Sequence, residues 1–347
     1  MLKFLNFGCL NSLKGGELKN IISWKLGLIM KKFKFQPISQ SWVAIHPQPK
    51  GVIQFIGGAL FGSFPTISYN YFFKQLFDAG YTIIALPFRF TFNHWSVAVT
   101  LLEEQYLIHP ELINQAQKLG YDYEAYLDSR NFYWVGHSLG CKYIALLEFL
   151  SGNREQVQNA IQKNLSPKYK NQTIAKICNY YEIIDLDFKN SQQELEKYTQ
   201  GETVSRENMI VNQNSLLIAP EISNTRSAIP IALVANIIDK LGLGVNPTME
   251  ETNCLILDSQ LFNLLAIICF KNDTISRDTC EWFVKKLNPK SRELPGKHLE
   301  PIGIQVGNFV LDLNPFDKFL QPIKKRNLES QALEVLYQLH SMLTIYS

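Results

Sequence analysis

Apolar residues in this chain fall into short continuous runs that alternate with longer segments of helical periodicity. The short runs are typical of strands buried on both faces, and they are residues 52–56, 81–86, 132–135, 215–220 and 264–270. The periodic segments predict helices at residues 69–79, 96–106, 112–119, 141–150, 277–287 and 328–345. Strand and helix in alternation predict an α/β fold, with a mostly parallel central sheet and helices on both faces.

Residues 151–214 interrupt this alternation. They are polar and rich in Lys, Gln and Asn, and they contain helical pieces but no strong strand. In a parallel sheet such an insertion lies above the carboxyl edge, where it forms either a lid over a site or a helical decoration with no gating role. We therefore predict one domain at 36–347 with an insertion at about 151–214, preceded by an extension at 1–35. Composition predicts a loop over 289–298.

The positive charge of the chain belongs to its first 35 residues. They hold seven lysines and one glutamate, a net +6, so the remainder carries −3 of the total +3. The main domain therefore gives no indication of nucleic-acid binding. A basic helix predicted at 20–30 either packs on its own domain, the interpretation we favour, or lies on a membrane surface as a peripheral contact. The oligomeric state is not predicted.

Cysteine spacing and the N-terminal pattern bear on the compartment. The six cysteines include no C-x-x-C pair and no zinc spacing, and several lie in apolar runs, which fits a reducing compartment. Lysines interrupt the N-terminal segment, so a secretory signal is not expected. We expect a cytoplasmic protein. No metal-ligand cluster or nucleotide motif stands out, so we expect no metal and no cofactor.

The sequence FYWVGHSLG at 132–140 carries a candidate nucleophile. It runs from an apolar strand into Gly136-x-Ser138-x-Gly140, with an amphipathic helix after it. A serine at a tight strand-to-helix turn adopts a strained backbone, and the flanking glycines give the turn the room it needs. The alternative is a serine in an ordinary glycine-rich turn. In the first case Ser138 is a nucleophile and the N–H of Leu139 faces the same space.

A nucleophilic serine needs an imidazole base. The six histidines are His46, His94, His109, His137, His298 and His340. His137 neighbours the serine inside the turn and points elsewhere, whereas His298 lies in a loop that can bring its ring over Ser138. We therefore predict His298 as the base.

The imidazole in turn needs a carboxylate to orient it. Asp273 follows an apolar strand directly and gives the chain order Ser138, Asp273, His298, which is the order of α/β-hydrolases. Asp258 and Glu221 are rival candidates, and Asp273 itself has the alternative of an Asn-Asp turn that caps the next helix.

The loop after the first apolar strand, GGALFG at 57–62, predicts the second half of an oxyanion hole. Ala59 is the expected N–H donor, with Leu60 as the second choice, and Gly58 borders the substrate pocket. Its G-G-x-x-x-G spacing does not match a dinucleotide-binding loop. The loop at 88–95 follows the next strand, so Arg89, His94 and the aromatic residues between them are further pocket candidates, or else pack locally.

Several motifs taken together resemble one family. They are GVIQFIGGALFGSFPTISYNYFF, YTIIALPFRFTFNHW, WVGHSLGCK, LLIAPEISNTRSAIP, FKNDTIS and PGKHLEPIG. They are similar to the domain of unknown function thirteen-fifty family, α/β-hydrolase-like proteins of cyanobacteria and chloroplasts, over about residues 35–320. The resemblance implies the hydrolase fold and a cyanobacterial cytosol or a plastid, but it supplies no substrate. Asn93 stands where an Asp is expected, which leaves position 93 without an expected catalytic role.

Two classes of function follow from these residues. The first is a serine hydrolase that acts on an ester or thioester, with a hydrophobic acyl substrate favoured by the basic tail and the aromatic loop. The second is a non-catalytic binding or assembly protein on the same scaffold. Acyl transfer would use the same residues as hydrolysis, and the sequence does not separate the two.

Overall fold

A computed structural model describes residues 33–198, 210, 213–222, 245–259, 265–311 and 320–346. The basic helix predicted at 20–30 and part of the predicted insertion lie outside these ranges. The described residues form a mixed α/β structure around one large sheet, as the alternating pattern predicts.

The central sheet has eight strands in the order β1-β2-β4-β3-β5-β6-β7-β8. The strands are β1 (Gln36–Ile38), β2 (Ser41–Ala44), β3 (Gly51–Ile56), β4 (Tyr81–Ala85), β5 (Phe132–His137), β6 (Asn214–Ile218), β7 (Leu265–Phe270) and β8 (Lys290–Leu294). The six strands from β4 to β8 in this order pair in parallel, and β1 and β2 add an antiparallel edge. A small antiparallel sheet consists of β9 (Ile304–Val306), β10 (Phe309–Leu311) and β11 (Leu320–Pro322).

Helices cover both faces of the central sheet. They are α1 (Pro65–Ser68), α2 (Asn70–Asp78), α3 (His94–Lys118), α4 (Leu139–Leu150), α5 (Arg154–Asn164), α6 (Pro167–Glu196), α7 (Met249–Asp258), α8 (Arg277–Leu287) and α9 (Leu328–Tyr346). Alternate residues of β3 show the two layers: Ile53 and Phe55 pack with α2 and α9, whereas Val52 and Ile56 pack with α3 and α4. None of the described helices has the length and hydrophobicity that crossing a bilayer requires.

Three features differ from the sequence prediction. The sheet begins at residue 36 rather than at 52. The apolar pattern does not indicate β1 and β2, because these strands are short and partly exposed. Residues 290–294, predicted as a loop, form the edge strand β8, whose backbone pairs with β7. Its side chains are mostly polar and exposed, so the sequence has no apolar run to indicate a strand. Helix α3 is continuous through Pro110, where two helices were predicted. Leu112 and Ile113 after the proline are fully buried, so the helix continues to pack on the core although proline donates no backbone hydrogen bond.

Candidate active site

The turn between β5 and α4 holds Ser138 in a strained conformation. Its φ of 54° and ψ of −122° lie in the left-handed half of backbone space, which non-glycine residues rarely occupy. Close packing explains the glycine that follows. A Cβ on Gly140 would lie 2.0 Å from the carbonyl oxygen of Ile56, so only glycine lets α4 approach β3. The serine hydroxyl is thus placed at the carboxyl edge of the sheet by backbone geometry.

The structure brings Ser138, His298 and Asp273 into one hydrogen-bonded chain. His298 Nε2 lies 2.8 Å from Ser138 Oγ, and His298 Nδ1 lies 2.9 Å from Asp273 Oδ2. An ionised carboxylate only accepts hydrogen bonds, so Nδ1 carries the proton and Nε2 is left to accept from the serine hydroxyl. The imidazole side chain is 10% exposed and the carboxylate 1%, so the chain is open to solvent chiefly at its serine end.

The carboxylate of Asp273 is held by groups that favour its ionised form. Its Oδ1 accepts from the backbone N–H of Ile275 at 2.8 Å and of Ser276 at 3.1 Å, and its Oδ2 accepts from the Ser276 hydroxyl. Burial alone would raise the pKa of Asp273, but the hydrogen bond and charge of His298, together with the Ser276 donors, lower it to about 2. The group beside the imidazole is therefore negative at neutral pH.

The ring of His137 is hydrogen-bonded to Tyr69 and to the backbone of His298 rather than to Ser138. Its Nε2 lies 2.8 Å from the carbonyl oxygen of His298, an acceptor, so Nε2 is protonated. Its Nδ1 then accepts from the hydroxyl of Tyr69 at 2.9 Å, and that hydroxyl accepts from the N–H of Gly58 at 2.8 Å. Burial, and next the neighbouring His298, lower the pKa of His137 to about 3, so this bridge is neutral.

The loop after β3 lies beside the serine, as the sequence predicts. A Cβ on Gly58 would lie 3.2 Å from Ser138 Cβ and 3.5 Å from Ser138 Oγ. Because the Gly58 N–H donates to Tyr69, it is not available to a substrate, and Ala59 as the N–H donor of this loop stays a prediction. Ala59 is partly buried, whereas the side chain of Leu60 is exposed. On the serine side, Leu139 is the first residue of α4, where a backbone N–H has no partner within the helix.

The two other pocket candidates make no hydrogen bond to these groups within the described residues. Arg89 is exposed and makes no ion pair or hydrogen bond within the described ranges. His94 is 1% exposed, and its ring lies edge-on to Tyr143 at 5.3 Å. Burial, and next the nearby Lys142, lower the pKa of His94 well below its usual value. A substrate role for either residue stays a prediction.

A cavity of about 710 Å³ lies between the segment after β4, the first turns of α3, and α6. Its apolar lining consists of Phe92, Trp95, Val99, Ile177, Tyr180 and Ile183. The rest of the lining is mostly polar, and Ser138, His298 and Asp273 are not part of it. The aromatic loop and the polar insertion therefore meet around an open space on the carboxyl side of the sheet.

The two rival acids occupy other places. Asp258 ends α7 and pairs with Lys163 at 3.0 Å on the surface. Glu221 is buried after β6, and its backbone N–H donates to the Ser138 carbonyl oxygen at 3.2 Å. Neither lies in the hydrogen-bonded chain with His298, whereas Asp273 does.

Sequence reasoning missed Ser276 and Tyr69. The N–H of Ile275, two residues after Asp273, donates to it in the pattern of an Asx turn, and Ser276 follows directly, so a local pattern in the sequence points to this donor. Tyr69 is remote in sequence from both of its partners, and no local pattern points to it. Within the described ranges, no group of three or more His, Cys, Asp or Glu residues has the arrangement of a metal site.

Comparison with known proteins identifies the family. The family model described as "Protein of unknown function (DUF1350)" matches residues 34–218, more than half of the chain, and the chain belongs to this family. This confirms the resemblance in the motifs up to residue 218, whereas the cyanobacterial or plastid setting stays a prediction. No curated protein shows significant similarity to the sequence.

Solved structures of low similarity include several esterases. Esterase B from Lactobacillus rhamnosis is 12% identical with a TM-score of 0.47, covering 95% of this chain and 94% of that one. A putative carboxylesterase from Lactobacillus plantarum is 12% identical with a TM-score of 0.44, covering 88% and 98%. An esterase from Pyrobaculum calidifontis is 12% identical with a TM-score of 0.40, covering 97% and 95%. These identities and TM-scores are too low to bear on activity.

Proposed function

We propose that this protein is a serine hydrolase that cleaves an ester or thioester with a hydrophobic acyl group. The observation that carries the proposal is the continuous chain from Ser138 Oγ through both nitrogens of His298 to Asp273, with bonds of 2.8 and 2.9 Å. A buried, ionised carboxylate fixes the imidazole tautomer that accepts a proton from serine. A strained turn then presents the hydroxyl at the open edge of the sheet.

The reaction has two halves. Ser138 Oγ attacks the substrate carbonyl carbon while His298 Nε2 takes the hydroxyl proton, and the N–H groups of Leu139 and Ala59 hold the oxyanion. The imidazolium then gives its proton to the departing alcohol or thiol, which leaves an acyl group on Ser138. In the second half water attacks this acyl group by the same route in reverse, and the free acid and the serine hydroxyl are restored.

A hydrophobic acyl group is favoured by the lining of the 710 Å³ cavity beside α3. Its aromatic and aliphatic side chains suit a chain of methylene groups, and its polar side chains suit a polar headgroup.

A fluorophosphonate probe tests the proposal directly, because it labels only an activated serine. Wild-type protein is expected to be labelled at Ser138. The rate of acyl-ester hydrolysis by Ser138→Ala and by His298→Ala is expected to be roughly 10⁴-fold or more below that of wild type, with both variants folded. Equal hydrolysis of acyl esters by wild type and Ser138→Ala would refute it. Absence of labelling in folded wild type would favour the binding-protein alternative, and a ligand search would follow.

A further inference from the structure

The loop that carries Asp273 is enclosed by a disulfide. Cys269 lies in β7 and Cys280 lies in the first turn of α8, and the structure joins their sulfurs across a sequence separation of 11. The spacing does not match any short cysteine motif, so sequence reasoning did not predict this bond. The covalent ring contains the whole turn from the strand to the helix.

The hydrogen-bond donors that the Asp273 loop itself supplies to the Asp273 carboxylate all lie within this ring. The N–H groups of Ile275 and Ser276 and the Ser276 hydroxyl donate to it, and Ser276 Oγ lies 3.8 Å from Cys280 Sγ. Cys280 is tied to the same turn, since its backbone N–H donates to the Ser276 carbonyl oxygen at 2.8 Å. One end of the disulfide is therefore in contact with the group that positions the acid.

The same ring is linked to the segment that carries His298. The N–H of Lys271 donates to the Leu294 carbonyl oxygen at 2.9 Å, and the N–H of Asn272 donates to the Gly296 carbonyl oxygen at 3.1 Å. Movement of the ring would thus disturb both partners of the Asp273–His298 hydrogen bond. A displacement on the order of 1 Å in such a pair is enough to slow catalysis strongly.

The disulfide is accessible from outside. Both cysteines line an open cavity of about 350 Å³ on the side of β7 and α8. Cys269 is partly exposed, whereas Cys280 is 6% exposed. The charged side chains of the cavity are Lys271, Arg277, Glu281, Lys285, Arg292 and Glu293. Arg292 is paired with Glu334, which leaves three basic and two acidic groups and a small positive excess for an anionic thiolate to approach.

We propose that Cys269–Cys280 is a redox modification site at which a dithiol reductant controls the order of the Asp273 loop. A reductant thiolate attacks the more exposed Cys269 Sγ, which breaks the disulfide and releases Cys280 as a thiolate. The second reductant thiol then displaces Cys269 from the mixed disulfide. The reductant leaves oxidised, and its two electrons and two protons remain with the two cysteine thiols. The oxidised protein is the active form; this consequence rests on the proposed hydrolase function.

The first test is thiol trapping on the full-length protein. Cys269 and Cys280 are expected to resist iodoacetamide before treatment with dithiothreitol and to be alkylated after it, as read by peptide mass. Alkylation of both cysteines in the untreated protein would overturn the proposal, because no disulfide would be present to reduce.

The second test measures the loop without using activity. Hydrogen exchange at the Ile275 and Ser276 amides is expected to become at least about tenfold faster after reduction, because these amides donate to Asp273 only while the turn is ordered. The rate of fluorophosphonate labelling at Ser138 is expected to fall at least about fivefold in the same samples. Cys280→Ser should show the exchange and labelling rates of the reduced wild-type protein, with or without dithiothreitol.

The matched control is Cys254→Ser, which removes an exposed, unbonded cysteine and should keep the full redox response. Unchanged exchange, or unchanged labelling in a protein that does label at Ser138, overturns the proposal. Exchange that responds to reduction without labelling in either state would refute the hydrolase function instead and support the redox site. The two hypotheses therefore fail separately.

Discussion

Asp273 and Glu148 are both buried carboxyl groups, but their two regions of the protein shift the carboxyl pKa in opposite directions. Asp273 stands at the carboxyl edge of the sheet, where hydrogen bonds and the charge of His298 overcome the effect of burial and lower its pKa to about 2. Glu148 stands on α4, where burial raises its pKa to about 8 although the Ser215 hydroxyl donates to it at 2.6 Å. Its second oxygen has no hydrogen-bond partner within the described residues.

A third carboxyl group shows which difference matters. Glu104 accepts from the hydroxyls of Ser39 and Ser41 and from the N–H of Gln40, yet burial still raises its pKa. Three neutral donors therefore do not make a buried carboxyl group strongly acidic in this protein. The feature that Asp273 has and Glu104 lacks is the imidazole of His298. Burial is common to all three groups, and the partner decides the charge.

Asp273→Asn should give the largest effect, because an amide does not hold the imidazole in the required tautomer. We expect the rate of fluorophosphonate labelling at Ser138 to fall roughly 10³- to 10⁴-fold with little change in folding. Glu148→Gln is the matched control, since it replaces a buried carboxyl group that is neutral at pH 7, and its labelling rate should equal that of wild type. An Asp273→Asn variant as reactive as wild type would show that the carboxylate has no part in activating the serine.

Glu148→Gln should in turn change how stability depends on pH. The folded-state pKa of about 8 lies above the usual 4.5, so the folded protein holds one more proton than the unfolded chain between these values. The stability from this group is full below pH 4.5 and is lost as pH rises through 8, by on the order of a few kcal/mol.

Urea unfolding at pH 5, 6.5 and 8 measures this contribution as the difference in stability between wild type and Glu148→Gln. The difference is needed because the lowered pKa values of His94 and His137 add a pH dependence of opposite sign to both proteins. The glutamine variant should lack the loss of stability that comes from Glu148. Asp273→Asn should keep it, because the pKa of Asp273 is lowered to about 2 and this carboxyl group titrates below the window. Identical slopes in wild type and Glu148→Gln would mean that Glu148 is ionised in the folded protein at neutral pH.

The residues at the carboxyl edge of the sheet are the ones that the sequence predicts best. Ser138, Asp273 and His298 each follow a strand or lie in a loop near it, and each belongs to a residue type with distinctive chemistry. Their order along the chain, read with the glycine pattern around Ser138, is enough to predict that they meet. The parallel sheet itself is predictable because its central strands are continuous apolar runs.

Other features depend on contacts that no local pattern records. Glu148 reads as one polar residue in an apolar helix, and its burial follows from how α4 packs on β6. The exposed strand β8 lacks an apolar run, so the sequence indicates a loop. The Tyr69–His137 hydrogen bond and the Cys269–Cys280 disulfide join residues whose proximity results from the fold. Side chains that support a site are therefore less predictable than those expected to perform chemistry.

A pair of serine substitutions tests the comparison at its finest level, because each removes one hydroxyl donor from a buried carboxyl group. Ser276→Ala takes a donor from the ionised Asp273 while His298 and two backbone N–H groups remain. We expect labelling at Ser138 to fall about five- to tenfold, since a hydrogen bond to a charged group is worth roughly 1.5–3 kcal/mol and only part of it orients the acid.

Ser215→Ala removes the corresponding donor from Glu148. Labelling at Ser138 should stay at the wild-type rate, and the pKa of Glu148 should rise further, which extends the pH-dependent loss of stability to higher pH. Each variant removes one hydroxyl that donates to a buried carboxyl group, so a difference in labelling isolates the carboxylate that faces His298. Equal losses in both would instead indicate that either substitution loosens the sheet, and the separation between the two regions would not hold.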